Sequence, residues 1–293
     1  MNSNKITLLL FFLCFTVFGQ QKITVDAIFT GTFRTKSMDE LQSLHNTNQY
    51  TVLNFDRATK SLQIDLYDFA TLKKESNLID TKNFAALADG IDSYNFDASE
   101  KQLLIASNSD KIFRHSFTAD YFLYDLGTKS LTKLFDFKVQ EPTFSPDGTK
   151  IAYAKGNNLY VYEIASKKSV AITSDGKKNS IINGITDWVY EEEFAFVRAF
   201  DWSKDSKKVA FIRFDESEVP EFSMSIFKKE LYPTIETFKY PKAGEKNATV
   251  SLHIYDVAGN TAKKVDLGNY KDFYIARLKW TNDSNILSAQ VLN

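Results

Sequence analysis

Cysteine and proline are scarce in this chain of 293 residues. The one cysteine, Cys14, lies near the amino terminus, so the remainder of the chain can form no disulfide and has to be stabilised by its hydrophobic core. Only five prolines occur, whereas phenylalanine and tyrosine are abundant, and this balance favours an all-β fold. A formal net charge of −1 gives no electrostatic reason to expect nucleic acid or an anionic membrane surface as a partner.

Sequence motifs for nucleophilic and metal-dependent catalysis are also missing. No two of the 11 glycines are four residues apart, which excludes a Gly-x-Ser-x-Gly nucleophile turn, and no Gly-x-Gly-x-x-Gly loop occurs either. The three histidines, His45, His115 and His253, are far apart, and none belongs to a His-x-x-x-His arrangement. We therefore predict no catalytic residue, no metal site and no cofactor in this chain.

The amino terminus has the pattern of a secretory signal peptide. One basic residue precedes an apolar run from Ile6 to Phe18, which is too short to span a bilayer comfortably. Val17 and Gly19 are small enough for the positions before a cleavage site. We expect residues 1–19 to be a signal peptide and the protein to be exported, to the periplasm or out of the cell.

One pattern recurs four times: an aromatic residue, one or two small or polar residues, an acidic turn and then an apolar strand. The aromatic residues are Phe96, Phe144, Trp202 and Trp280, at intervals of 48, 58 and 78 residues. A four-stranded propeller blade needs about 40 to 50 residues, so the later intervals are interpreted as blades with insertions. The spacing predicts a partial β-propeller of about four to five blades. Because the fourth copy opens a blade of which only two strands follow, we expect a fragment of a larger ring.

Three consecutive carboxylates, Glu191 to Glu193, lie between aromatic residues in one of these insertions. Carboxylates beside apolar rings lose solvation, so the run is costly unless a cation approaches it. Successive helical residues point about 100° apart, so two neighbours can aim at one spot but three cannot. Asp187 can cap a helix of one or two turns through Glu193, with Trp188 burying one face. The alternative is a solvated acidic patch, the commoner meaning of such a run.

Arg114 is the second candidate for a binding residue. It opens a stretch that alternates as a strand into Tyr121. Its planar guanidinium could face a carbonyl or carboxylate in the same cavity as the glutamates. For an isolated arginine, pairing with any acid near a strand end is the commoner role, and sequence spacing leaves both interpretations open.

Four stretches together resemble the amino-terminal part of dipeptidyl peptidase IV-type serine exopeptidases, a branch of the prolyl oligopeptidase clan. These stretches are Arg-His-Ser-Phe-Thr-Ala at 114–119, Asn-Gly-Ile-Thr-Asp-Trp-Val-Tyr-Glu-Glu-Glu at 183–193, Phe-Asp-Glu-Ser-Glu-Val-Pro at 214–220, and Tyr-Pro-Lys-Ala-Gly at 240–244 with Asn247. The resemblance covers most of the chain from about residue 50 onward, in order and at consistent spacing.

The resemblance implies an eight-bladed propeller and an α/β-hydrolase domain whose Ser-Asp-His triad this chain does not contain. Residues 20–293 would then form a partial propeller that ends before the hydrolase domain. The family's site implies that Glu192 and Glu193 bind the free amino terminus of a peptide substrate and that Arg114 contacts its backbone carbonyl. Glu191 is then expected to contribute far less.

The activity implied is removal of dipeptides that carry Pro or Ala at the second position. The implied partners are a peptide substrate with a free amino terminus and the hydrolase domain of the same polypeptide, while a homodimer stays open. The competing hypothesis is a non-catalytic periplasmic propeller that serves as a peptide-binding or interaction module.

Overall fold

The computed structural model describes residues 22–35, 41–270 and 272–293, so the predicted signal peptide lies outside the described residues. The chain divides into two compact units, one up to residue 40 and one from Leu41 to Asn293. In the first unit Val25–Phe29 form a short helix, α1, whose Ala27 N–H donates to Thr24 Oγ1 at 3.1 Å. Within the described ranges, no helix is long and apolar enough to cross a membrane.

The unit from Leu41 onward begins with three antiparallel four-stranded sheets, each paired in sequence order. Blade 1 consists of β1 (Leu41–Ser43), β2 (Gln49–Asp56), β3 (Ser61–Asp68) and β4 (Lys74–Asp80). Blade 2 consists of β5 (Ser93–Phe96), β6 (Gln102–Lys111), β7 (Phe117–Asp125) and β8 (Ser130–Lys133). Blade 3 consists of β9 (Gln140–Phe144), β10 (Lys150–Lys155), β11 (Asn158–Glu163) and β12 (Lys168–Ala171). Two short 3-10 helices, Thr81–Asn83 and Ala85–Leu87, connect blades 1 and 2.

Blade 4 is the largest sheet and carries the insertions. Its strands are β13 (Ile181–Asn183), β14 (Phe200–Trp202), β15 (Lys208–Asp215), β18 (Thr249–Asp256) and β19 (Thr261–Lys264). A separate hairpin, β16 (Glu221–Ile226) and β17 (Thr234–Lys239), lies between β15 and β18. Blade 5 has two strands, β20 (Tyr274–Trp280) and β21 (Leu287–Leu292). Four complete blades and an incomplete fifth confirm the prediction of an all-β, partial propeller.

The first strand position of blade 4 is interrupted. Both β13 and β14 pair with the same side of β15, β13 along its end near Asp215 and β14 along its start near Val209. The residues between them leave the sheet and form the short helix α2 (Trp188–Phe194). This insertion carries the acidic run, as the sequence predicts.

The repeated sequence pattern forms the turn between the first two strands of a blade. In blade 3, Ser145 Oγ donates to Asp147 Oδ1 at 2.6 Å and accepts from the backbone N–H of Lys150 at 2.9 Å. Blade 4 repeats the 2.6 Å and 2.9 Å distances with Ser203 in place of Ser145. The serine and the aspartate therefore close the turn together, which explains why they recur at this spacing.

The same turns also connect neighbouring blades. Trp202 Nε1 donates to the carbonyl oxygen of Thr143 at 3.2 Å, which ties blade 4 to blade 3. The backbone N–H of Asp147 donates across the same boundary to Ser206 Oγ at 3.0 Å. At the next boundary, Trp280 Nε1 donates to the carbonyl of Asp201 at 3.2 Å.

The hydrophobic core lies between adjacent blades rather than at one centre. Leu103 and Ile105 of β6 pack with residues of blade 1, whereas the alternate residues Leu104 and Ala106 pack with residues of blade 3. Successive strand residues point to opposite faces, so a blade inside the series buries both of its faces. This arrangement leaves loops and insertions to carry the polar groups of a site.

Candidate functional site

Helix α2 begins at the residue that the sequence predicts. Asp187 is its N-cap, and Oδ1 accepts from the backbone N–H of Tyr190 at 3.0 Å, which satisfies one of the free donors of the first turn. The helix ends at Ala195, which adopts the left-handed conformation with φ of 55°. A short helix with both ends fixed presents its acidic residues in defined directions.

Tyr190 anchors α2 to the core. Its side chain is 1% exposed, its ring packs against Phe214 and Phe194, and its hydroxyl accepts from the backbone N–H of Ile275 at 3.0 Å. Trp188, which the sequence predicts to bury one face of the helix, is half-buried and packs against Tyr240, whereas Tyr190 is the residue that lies in the core. Residues two apart on a helix point about 200° apart, so only one of the two can face the core. Tyr190 takes that position because its hydroxyl supplies the acceptor that the buried N–H of Ile275 needs.

The turn between β6 and β7, residues 112–116, reaches from blade 2 to this helix. Arg114 lies in the turn, three residues before β7, rather than in the strand that the sequence predicts. Its Nε lies 2.9 Å from Glu192 Oε2 and 3.1 Å from Oε1. The arginine side chain is 71% exposed and that of Glu192 is 17% exposed. The structure thus brings together two of the residues that the sequence singles out, although 78 positions separate them.

Glu193 differs from its neighbour. Its side chain is exposed, and within the described part of the chain it makes no hydrogen bond or ion pair. The terminal guanidinium nitrogens of Arg114 likewise have no hydrogen-bond partner among the described residues. One carboxylate and one face of the arginine are consequently available to a ligand.

Sequence reasoning missed the role of Glu191 in the fold. Its side chain is 1% exposed, and Oε1 accepts from the backbone N–H groups of His115 at 2.6 Å and Ser116 at 2.9 Å. The expectation that Glu191 points away and matters little therefore overlooks a direct contact with the turn that carries Arg114. No local sequence pattern indicates this contact, because the two donors lie 75 and 76 positions earlier in the chain.

Two further acids are buried beside α2. Burial raises the pKa of Asp187 to about 6. Burial, with a smaller contribution from the charge of Asp187, raises the pKa of Glu216 to about 7, while Lys239 acts in the opposite direction. Both residues line a cavity of about 430 Å³ that Phe113 and Phe238 also line. Together these two acids form a second group of buried carboxylates beside α2, and both lie in stretches that carry the family resemblance.

Glu141, which is half-buried, is another acid near this contact that the sequence did not reveal. It adopts φ of 52°, an uncommon conformation for a residue other than glycine. Burial raises its pKa, Arg198 opposes this, and the charge of Glu191 adds to it. Perturbed carboxylates therefore surround the contact between α2 and the turn, as is common at functional sites.

Comparison with known proteins identifies the family of this chain. The family model described as "Dipeptidyl peptidase IV (DPP IV) N-terminal region" matches residues 97–293. Dipeptidyl aminopeptidase B of Saccharomyces cerevisiae is 31% identical over 284 residues, which are 92% of this chain and 34% of the yeast protein. Probable dipeptidyl-aminopeptidase B of Emericella nidulans is 41% identical over 182 residues, 57% of this chain and 20% of the fungal protein.

A solved structure shows the same relationship. The crystal structure of Porphyromonas gingivalis dipeptidyl peptidase 4 superposes with a TM-score of 0.86 at 36% identity, over 94% of this chain and 39% of that chain. The chain therefore spans little more than a third of the relatives that it matches over most of its own length. Since the family model covers all four stretches of the resemblance, among them the Arg114 turn and helix α2, together with the sheets that hold them, this chain belongs to the family of dipeptidyl peptidase IV N-terminal regions.

Proposed function

We propose that this chain is the substrate-binding propeller part of an exported serine dipeptidyl peptidase, which removes dipeptides from the amino termini of peptides. The observation that carries the proposal is the contact of Arg114 with Glu192, beside a Glu193 that is free to bind a cation. Hydrolysis itself belongs to an α/β-hydrolase domain of the same polypeptide. The preference for Pro or Ala at the second position rests on the family resemblance.

Charge balance supports an ammonium ligand at this site. Glu192 and Glu193 carry two negative charges, and Arg114 compensates one of them. A substrate ammonium supplies the second positive charge, so both of these carboxylates are then compensated. Each charge-assisted hydrogen bond to that ammonium contributes about 1.5 to 3 kcal/mol.

The ammonium anchor also explains the length of the product. If the amino terminus is fixed at the two glutamates and the adjoining carbonyl at Arg114, the second peptide bond lies at a constant distance from the anchor. A nucleophile at that distance cleaves after two residues and no others. Binding energy at the propeller is thereby used to orient the bond that reacts elsewhere.

The hairpin β16–β17 supports a homodimer as a further part of the proposal. Its tip exposes Phe227, Leu231 and Tyr232, with 73%, 86% and 79% of their surface accessible. Apolar groups this exposed at one tip are typical of an interaction surface. Analytical ultracentrifugation should show a dimer that Leu231→Glu converts to a monomer, and a monomeric wild type would contradict this part of the proposal.

The test of the proposed function compares two substrates. The polypeptide encoded by the complete reading frame should cleave Gly-Pro-p-nitroanilide and should leave the N-acetylated form intact, because acetylation removes the charge that the glutamates bind. The 293-residue chain alone should release no product. Equal cleavage of the free and acetylated substrates, or turnover by the 293-residue chain, would contradict the proposal.

A further inference from the structure

We propose that Glu191 is the positioning residue for Arg114: it holds the backbone of the β6–β7 turn on helix α2, so that the guanidinium stays at the substrate site. This inference rests on the proposed function, because it concerns how that site is held together. It assigns separate tasks to the three glutamates, with Glu191 acting on the protein and its two neighbours acting on the substrate.

The turn satisfies only some of its own donors. The backbone N–H of Ile112 donates to the carbonyl of Ser116 at 2.9 Å, and that of Phe113 donates to Ser116 Oγ at 3.2 Å. The N–H groups of His115 and Ser116 both donate to Glu191 Oε1 instead. The carboxylate is thus the outside partner that completes the turn immediately after Arg114.

The helix is a rigid support for this contact. Asp187 caps its start, and Tyr190, the residue before Glu191, is fixed in the core by its hydroxyl hydrogen bond to the backbone of Ile275. A carboxylate on such a helix holds the turn of blade 2 in a fixed position relative to blade 4. The contact bridges blade 3, which lies between them in the series.

The ion pair of Arg114 with Glu192 cannot replace this contact. The arginine side chain is mostly exposed, and exposed ion pairs stabilise a fixed geometry only weakly. Moreover, a substrate ammonium approaches the same carboxylate and competes for it. The Glu191 contact is buried and made to the backbone, so it persists when the substrate binds and keeps Arg114 near the substrate carbonyl.

The second carboxylate oxygen decides how the proposal can be tested. Glu191 Oε2 is buried and has no hydrogen-bond partner among the described residues. The contact therefore uses one oxygen and the length of the side chain, rather than both oxygens of the carboxylate. Glu191→Gln keeps that oxygen and that length but loses the charge, whereas Glu191→Asp keeps the charge and loses the reach by one methylene.

The experiment compares these two variants in the polypeptide of the complete reading frame. We expect Glu191→Asp to lower kcat/KM about tenfold, mainly through KM, and Glu191→Gln to stay within about threefold of wild type. In an Arg114→Ala background, Glu191→Asp should have no further effect, because it acts through the arginine. Hydrogen exchange of the His115 and Ser116 amides should be about tenfold faster in Glu191→Asp and unchanged in Glu191→Gln.

The opposite pattern would overturn the proposal. A Glu191→Gln variant as impaired as Glu191→Asp would show that the charge itself acts on the substrate. An undiminished effect of Glu191→Asp in the Arg114→Ala background would show that Glu191 does not act through the arginine. Full activity of Arg114→Ala would contradict the proposed function instead, so the two failures are distinguishable.

Discussion

The repeated turns of the blades and the insertion in blade 4 both contain aspartate or glutamate, yet the pKa values of these acids shift in opposite directions in the two regions. In the turn of blade 3, burial alone would raise the pKa of Asp147, but hydrogen bonds from Ser145 and Thr149 lower it. Beside the insertion, burial outweighs the hydrogen bonds to Asp187 and the charge of Lys239 near Glu216, so the pKa values of both acids are raised. The blade turns satisfy their carboxylates with hydrogen bonds, whereas the insertion keeps carboxylates at a cost in solvation, as is common at functional sites.

Removing a core side chain between blades should have the largest effect, and the effect should be on stability. Phe211 is buried where blade 4 packs against blade 3. Phe211→Ala should lower the free energy of unfolding of the chain by about 3 to 5 kcal/mol. Urea denaturation measures it, with Phe55→Ala as the control, since Phe55 is 59% exposed and should change stability by far less. Similar losses in the two variants would break the distinction between the core between blades and the exposed surface.

Neutralising either of the two glutamates proposed to bind the substrate ammonium should have a slightly smaller effect, and the effect should be on binding rather than on folding. Glu192→Gln and Glu193→Gln each keep the side-chain shape and remove a charge. We expect each to cost about 2 to 5 kcal/mol of transition-state binding in the polypeptide of the complete reading frame. Steady-state kcat/KM measures the effect on transition-state binding, and the melting temperature measures any effect on folding.

The matched control for these variants is Glu245→Gln, another exposed glutamate in a loop of blade 4. It should leave kcat/KM unchanged. Full activity of Glu193→Gln would show that the acidic run is a solvated face, and the contrast between the two regions would lose its functional meaning.

Glu216 should make stability depend on pH. Its pKa is raised to about 7 in the folded protein from an ordinary value of 4.5, so folding favours the neutral carboxyl. The stabilisation of the folded state by this shift is complete below pH 4.5 and is lost as the pH rises to about 7. Between these values the free energy of unfolding should fall by about 1 to 3 kcal/mol more in the wild type than in Glu216→Gln. Urea denaturation at a series of pH values gives the free energy of unfolding of the wild type and of Glu216→Gln. If the two free energies change in parallel with pH, Glu216 is not buried as a neutral group.

The hydrogen bonds between blades should have the smallest effect. Ser206→Ala removes the acceptor for the backbone N–H of Asp147. It should lower the free energy of unfolding by about 0.5 to 1.5 kcal/mol and leave kcat/KM unchanged. Ser284→Ala removes the matching acceptor for Asp205 at the next boundary and should behave in the same way. A loss of activity in either variant would mean that the blade turns and the site are coupled.

The sequence predicts the blades well because their determinants are local. In blades 3 and 4 the aromatic residue, the serine and the aspartate of the repeat lie within one turn. Asp187 caps its helix through a donor three residues away. The resemblance in the acidic run and the Arg114 stretch also indicates two residues that the structure brings together, Arg114 and Glu192.

The parts that the sequence does not predict depend on contacts between distant segments. Tyr190 rather than Trp188 faces the core, because the unpaired N–H that it satisfies belongs to Ile275 in the next blade. The buried position of Glu191 depends on a turn of blade 2, and the raised pKa of Glu216 depends on burial beside Asp187. Helical periodicity gives the angles between neighbouring side chains, but it does not show what each of them meets.

The most direct test of the central claim is a structure of the complete polypeptide with a bound dipeptide that has a free amino terminus. The account predicts that the ammonium nitrogen lies within about 3.2 Å of a carboxylate oxygen of both Glu192 and Glu193. It also predicts that Arg114 contacts the first carbonyl oxygen of the dipeptide while Glu191 stays bonded to the turn. An ammonium bound away from both glutamates, with Glu192 and Glu193 facing solvent, would contradict it.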